Sequence, residues 1–178
     1  MAVKGTLPIL DWITLRRNDA AYRLPYCFRK GNGGPALLFV HGLGGAKENF
    51  YAAFQSLALA DCDLLAFDFP GTGLAEFDPR TCPDVNMLAE LVHLVWKALL
   101  SKPVFLVVAS MGGLIGLLMI RKYGSAGIEG LVNIEGNLAP EDCMFSRRVT
   151  SHTFDEFSKS VFRQIQSELR ASKFPATT

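Results

Sequence analysis

The sequence predicts an α/β fold, a mostly parallel sheet with helices on both faces. Three observations carry this. Short apolar runs rich in β-branched residues recur along the chain, and stretches with helical spacing lie between them. The runs are apolar throughout, as strands buried on both faces are. Several end abruptly in glycine-containing turns, where a chain leaves a sheet.

Taken in order, Trp12–Leu15 and Tyr22–Phe28 read as an antiparallel pair at one edge of the sheet. Ala36–Val40 is a buried strand, stopped by His41-Gly42. A short helix is expected over about Glu48–Leu59, with Phe50, Tyr51, Phe54 and Leu57 on one side. Asp63–Phe67 is the next strand, and the loop Asp68-Phe-Pro-Gly-Thr-Gly73 breaks it. Pro83-Asp84 opens a long helix with Val85, Leu88, Leu91 or Val92, Val95 and Leu99 at helical spacing. Val104–Val108 is a strand, Met111–Tyr123 its following helix, and Ile128–Ile134 a further strand. Such alternation implies parallel strands joined by right-handed crossovers. Beyond Ile134 the character changes. Thr153-Phe-Asp-Glu156 has the form of a capping box, and Phe154, Phe157, Val161, Ile165 and Leu169 then step along one helical face.

Composition excludes several classes. The 178 residues, 49% hydrophobic and 20% charged, suit one globular domain with a sizeable core. A net charge of +1, with no basic run longer than Arg16-Arg17 or Arg147-Arg148, argues against nucleic acid or an anionic membrane as partner. The longest apolar run, Met111–Ile120, falls well short of the roughly 20 residues that span a bilayer. The opening apolar stretch is too short for a signal peptide. Cys27, Cys62, Cys82 and Cys143 are scattered without metal-ligand spacing, so no metal and no cofactor are expected. A reducing, cytoplasmic location follows.

The segment Val104-Phe-Leu-Val-Val-Ala109-Ser110-Met-Gly-Gly113 carries the chemistry. A strand that turns abruptly into a helix leaves the residue at the turn exposed above the sheet. The helix start beneath it offers unpaired N–H groups. A serine there is placed to act as a nucleophile; the alternative is a plain N-cap for the helix starting at Met111.

Three landmarks stand in order, each at a strand end: His41-Gly42-Leu43-Gly44-Gly45, Asp68-Phe-Pro-Gly-Thr-Gly73 and Ala109-Ser110-Met111-Gly112-Gly113. Over about residues 10 to 145 the chain resembles the α/β-hydrolase family, especially the small-ester and lipase-like members that carry a cap after the sixth strand. The resemblance implies a partial core over 1–144, comprising strands one to six, and the start of a helical cap over 145–178. It places Ser110 as the nucleophile of a nucleophile elbow and the backbone N–H groups of Leu43 and Met111 as an oxyanion hole. His41 and Gly42 then shape the oxyanion loop, and Asp68 holds the loop after its strand. The pattern departs from the family's at Val108, where glycine is usual, and at Ala109, where histidine is frequent.

Glu135, ending the sixth strand, stands where some members carry the triad acid; a carboxylate merely solvated or bound to Asn137 is the alternative. In the family the general base is a histidine after the eighth strand, and this sequence stops short of that point. His41, His93 and His152 read as structural. The resemblance therefore implies a serine hydrolase acting on a small-molecule ester or related acyl bond, with its histidine beyond residue 178. An aspartate would be needed at 110 for dehalogenase chemistry. A non-catalytic binding or scaffold version of the fold is the second reading. A sixth strand with no partner on its far side would leave Leu131, Val132 and Ile134 at an open edge, inviting self-association.

Overall fold

A computed structural model describes residues 8–17, 20–79 and 83–171. Cys82 and the segment after Ala171 lie outside the described residues, as does most of the opening stretch read for a leader. The chain divides into two compact units, Met1–Leu138 and Ala139–Thr178.

The first unit is a six-stranded sheet in the order β1-β2-β4-β3-β5-β6, built from β1 (Ile9–Arg17), β2 (Ala20–Arg29), β3 (Ala36–Val40), β4 (Asp63–Phe67), β5 (Val104–Ala109) and β6 (Ile128–Ile134). β1 and β2 pair antiparallel, β2 pairs antiparallel with β4, and β4, β3, β5 and β6 run parallel. Alternate strand residues feed two cores. Leu38, Val40, Leu65, Phe67, Leu106 and Val108 point to the face that also buries Leu91 and Val95 of α2 (Val85–Leu99) and Ile115 and Met119 of α3 (Met111–Tyr123). Phe39, Leu64, Ala66 and Val107 face the other way, onto Phe50 and Phe54. Both faces of β3, β4 and β5 are therefore covered, which is why their sequences show no polar alternation, whereas β6 at the edge is largely exposed.

Asp63 opens β4 from a buried position and accepts hydrogen bonds from Lys30 Nζ (3.0 Å) and the Gly31 N–H (2.8 Å), with Lys102 Nζ at 2.9 Å. Burial works against its charge, but the bonds from Lys102, Gly31 and Lys30 outweigh it and hold the carboxyl below its ordinary value.

The helix expected over Glu48–Leu59 is not continuous. A 3₁₀ turn (Lys47–Phe50) leads into α1 (Tyr51–Gln55), Ser56 is extended (φ −69°, ψ 126°), and a second 3₁₀ turn spans Leu57–Leu59. Competition for backbone groups explains the break. The buried Arg29 guanidinium donates to the Phe54 carbonyl (2.6 Å), which a continuous helix would pair with the N–H of residue 58, and to the Leu59 carbonyl at the end of the segment.

In the second unit, α4 (Met144–Thr150) precedes the capping box, a helix that the sequence pattern does not predict. The Glu156 N–H donates to Thr153 Oγ1 (3.3 Å), and the Thr153 N–H donates to Glu156 Oε2 (2.9 Å). The helix begun there is irregular: α5 (Phe154–Glu156) passes through a π turn (Phe157–Val161) into α6 (Phe162–Ala171). A π turn takes up an extra residue, so the apolar positions do not keep one face. Phe154 is left 85% exposed, whereas Val161 and Ile165 are buried. The Leu169 side chain lies outside the described residues. Arg148 on α4 makes a two-pronged pair with Glu168 on α6, at 2.6 and 3.0 Å.

No described helix is long and apolar enough to cross a membrane. Among the described residues β6 pairs only with β5, and Val132 and Ile134 on it are 49% and 48% exposed. An unpaired apolar edge templates pairing with another chain. Size-exclusion chromatography over a range of concentrations is expected to show self-association of this chain, weakened by Val132→Lys. A single monomeric peak throughout would exclude pairing through this edge.

Candidate active site

β5 ends at Ala109, and α3 starts at Met111. The one residue between them, Ser110, takes φ 50° and ψ −124°, a region costly for a side-chain-bearing residue. Its side chain makes no capping hydrogen bond to the helix below and is exposed. The N-cap alternative thus finds no support in the hydroxyl's contacts. Neighbouring backbone holds the turn. The Ser110 N–H donates to the Ile134 carbonyl (3.2 Å), and its carbonyl accepts from the N–H groups of Gly113 and Asn137 (both 2.9 Å).

Glycines make this crossing possible. A Cβ at Gly42 would lie 2.7 Å from Ser110 Cβ and 2.9 Å from the Ala109 carbonyl oxygen. One at Gly112 would meet the Val40 carbonyl oxygen at 2.3 Å. Val108, where the family prefers glycine, fits because the helix above it has a glycine of its own. A Cβ at Gly116 would stand 3.1 Å from Val108 Cγ1.

Met111 is the first residue of α3, and the leading N–H groups of a helix have no partner within it. Gly42 approaches that same amide: a Cβ at 42 would be 3.2 Å from Met111 N. Leu43, next in the chain, is exposed, and it and Met111 line a common cleft. Glu135 follows β6 at φ 50°. Ser110 and Glu135 are the two non-glycine residues with positive φ among those described, and they end adjacent parallel strands paired Ala109 to Ile134. Glu135 lies between the two residues, Ile134 and Asn137, whose backbone binds Ser110. Its side chain is exposed.

His41 is buried against Phe69, ring centroids 4.8 Å apart. Its Nε2 accepts from the Phe69 N–H (3.3 Å), which leaves Nδ1 to donate to the Gly42 carbonyl (2.9 Å). Desolvation pushes the imidazole pKa down, so the ring is neutral near pH 7 and both nitrogens are committed to loop backbone. Asp68, fully buried, accepts from the N–H groups of Lys47 (2.8 Å) and Leu74 (2.9 Å) and from Lys47 Nζ (2.8 Å). Burial works against the Lys47 charge, but the hydrogen bonds it donates to Asp68 and Glu48 outweigh it and hold the ammonium above its ordinary value.

Sequence reasoning misses Lys47. The available signal is Asp68 itself, since a carboxylate ending a fully buried strand requires a cation or several N–H donors. His93 lies on α2, stacked on Tyr123 with centroids 3.9 Å apart, and burial lowers its pKa. His152 is exposed in the second unit. Among the described residues no three His, Cys, Asp or Glu side chains gather to hold a metal ion.

A family model described as the α/β hydrolase fold matches residues 35–174. Among solved structures, a candidate aryl esterase from Burkholderia cenocepacia is 25% identical with a TM-score of 0.64, over 74% of this chain and 49% of its own. An esterase from Exiguobacterium antarcticum is 20% identical with a TM-score of 0.62, over 70% of this chain and 45% of its own. A proline iminopeptidase-related protein from Thermus thermophilus is 23% identical with a TM-score of 0.59, over 72% and 45%. The chain thus spans about half the length of these structures. No curated protein sequence matches it.

Because a Cβ at position 112 would run into backbone and not into a movable side chain, Gly112→Ala is expected to cost about 1–3 kcal/mol in urea denaturation. Leu117→Ala, at an exposed position of the same helix, is expected to change stability by less than about 0.5 kcal/mol. Equal effects would mean that the crossing at β3 is slack.

Proposed function

The chain belongs to the α/β hydrolase fold family, and from that membership we propose that it carries the nucleophile half of a serine hydrolase acting on an ester or related acyl bond. The observation that carries the reading is Ser110. It is an exposed serine kept in a strained turn at a helix start, with its hydroxyl unused by the cap. In this mechanism Ser110 Oγ attacks the substrate carbonyl as a histidine takes its proton. The bond to the leaving alkoxide breaks, the alkoxide departs with that proton, and the acyl group stays on Ser110 Oγ as an acyl-enzyme. Water, giving a proton to the same histidine, then attacks it, and the acid leaves as Ser110 Oγ takes that proton back.

The developing oxyanion sits between the N–H groups of Leu43 and Met111. Glu135 orients the histidine and steadies its positive charge. His41 is a positioning residue for the oxyanion loop, since its ring nitrogens bind loop backbone. The base is a histidine outside residues 1–178. Residues 145–178 begin the cap. A reducing, cytoplasmic setting is part of this reading. The partner is a small-molecule acyl substrate, and no cofactor enters the reaction.

A fluorophosphonate probe tests the nucleophile directly. Labelling of this chain is expected at one serine and at a slow rate, because a site without its full triad retains about 10³-fold over water. Ser110→Ala should abolish it. Labelling that survives that substitution removes the assignment, and a chain that never labels favours the binding or scaffold reading.

In a longer version that supplies the histidine, Glu135→Gln should lower kcat on the order of 10²–10⁴-fold with the fold unchanged by circular dichroism. Unaltered kcat would return Glu135 to a purely structural turn.

A further inference from the structure

A cleft of about 580 Å³ opens in the first unit at the carboxyl ends of β3 and β4, within the range of about 300–1,000 Å³ usual for small-molecule sites. Leu43, Phe69, Phe77, Val85, Leu88 and Met111 contribute to its walls. Its polar groups are already engaged. His41 is bound to Gly42 and Phe69, and the Thr72 hydroxyl donates to the Phe69 carbonyl (2.9 Å). The Asp84 carboxylate accepts from the Met87 N–H (2.8 Å) as the cap of α2. Most of what remains to meet a ligand is hydrocarbon, with the two amides placed at the oxyanion, and the exposed Asp84 carboxylate adds a negative charge that opposes anionic ligands.

Topology decides which part of a substrate enters. Ser110 ends β5; β6 and Glu135 lie on one side of it in the sheet, and β3 and β4 with the cleft lie on the other. The leaving oxygen must take a proton from a base that Glu135 orients, so the alcohol portion departs on the β6 side. The other substituent of the same carbonyl carbon then extends over β3 and β4. We propose that this cleft is the acyl-chain site and selects extended, uncharged hydrocarbon acyl groups over acetyl. This rests on the serine-hydrolase reading, from which it takes the carbonyl position and the direction of departure.

Two measurements on the full chain separate the proposal from that reading. In the Ser110→Ala chain, octanamide and acetamide are titrated while backbone amide resonances are followed by NMR. Saturable octanamide binding with shifts at Val85, Leu88 and Phe77, at least tenfold tighter than acetamide, is the expected result. Val85→Phe, which fills the cleft from the first turn of α2, should reduce that preference several-fold.

In the chain with Ser110 intact, the labelling rate with alkyl phosphonofluoridates should rise from ethyl to octyl by up to about fourfold per buried methylene. Equal binding of the two amides, octanamide shifts elsewhere, or an octyl preference untouched by Val85→Phe would overturn the acyl-chain assignment. Failure of Ser110 to label, with octanamide still bound at Val85 and Leu88, would overturn the nucleophile and leave the cleft a binding site for apolar chains.

Discussion

At the carboxyl ends of β3 and β5, Gly42, Gly112 and the turn at Ser110 approach one another too closely for any further carbon atom. A Cβ at 42 would stand 2.7 Å from Ser110 Cβ, and one at 112 would stand 2.3 Å from the Val40 carbonyl oxygen. The rest of the site follows from this crossing. The start of α3 comes down onto β3, so the leading amides of the helix face the loop that β3 feeds. That loop passes beside Ser110 because nothing projects from Gly42. Ser110 in turn is held with positive φ, which would relax if its flanking backbone were free. Hydrogen bonds to Ile134, Gly113 and Asn137 keep it there.

The loops around the crossing depend on a second, polar anchor. Lys47 and Asp68 are both removed from water and pair at 2.8 Å, and Asp68 also takes the N–H groups of Lys47 and Leu74. Desolvating two charges cancels much of their attraction, so such a pair contributes less to net stability than to geometry, while removing one partner is severe. Here the geometry is that of two loops, one after β3 and one after β4, tied together near Leu43. His41 works alongside, neutral and bound to both loops through its two ring nitrogens. Its commitment there argues against its serving as the base in the proposed reaction.

Strain at Glu135 gives the β6 end a parallel role. Two side-chain-bearing residues with positive φ end two adjacent strands, and the turn holding one of them binds the backbone of the other. Gly136 and Gly113 meet in this same turn, where a Cβ at 113 would lie 3.0 Å from Gly136 Cα. Ser110 and Glu135 are thereby coupled through backbone contacts, a rigid basis for the division of labour proposed across the β5–β6 pair. The apolar cleft on the opposite side completes that division.

Residue order alone was enough to specify the strands, the two long helices, the turn at Ser110 and the capping box at Thr153. All of these are local: an apolar run of one strand's length, a helical period from Val85 to Leu99, a serine between a strand and two glycines. Features that depend on distant partners were settled by the folded arrangement. The same helical period over Glu48–Leu59 yields a broken segment in which Arg29, far away in the chain, captures the Phe54 carbonyl. The apolar spacing after Thr153 does not reveal the π turn that moves Phe154 off the buried face. Asp68 announced a need for donors, yet nothing in the pattern singled out Lys47, which reaches it through the pairing of β3 with β4. Val108 departs from the family's small residue, and its acceptance rests on a missing Cβ at Gly116, one helix away. Periodicity records how each residue meets its immediate neighbours. Which carbonyl, charge or void lies across the sheet is set only when the strands pair.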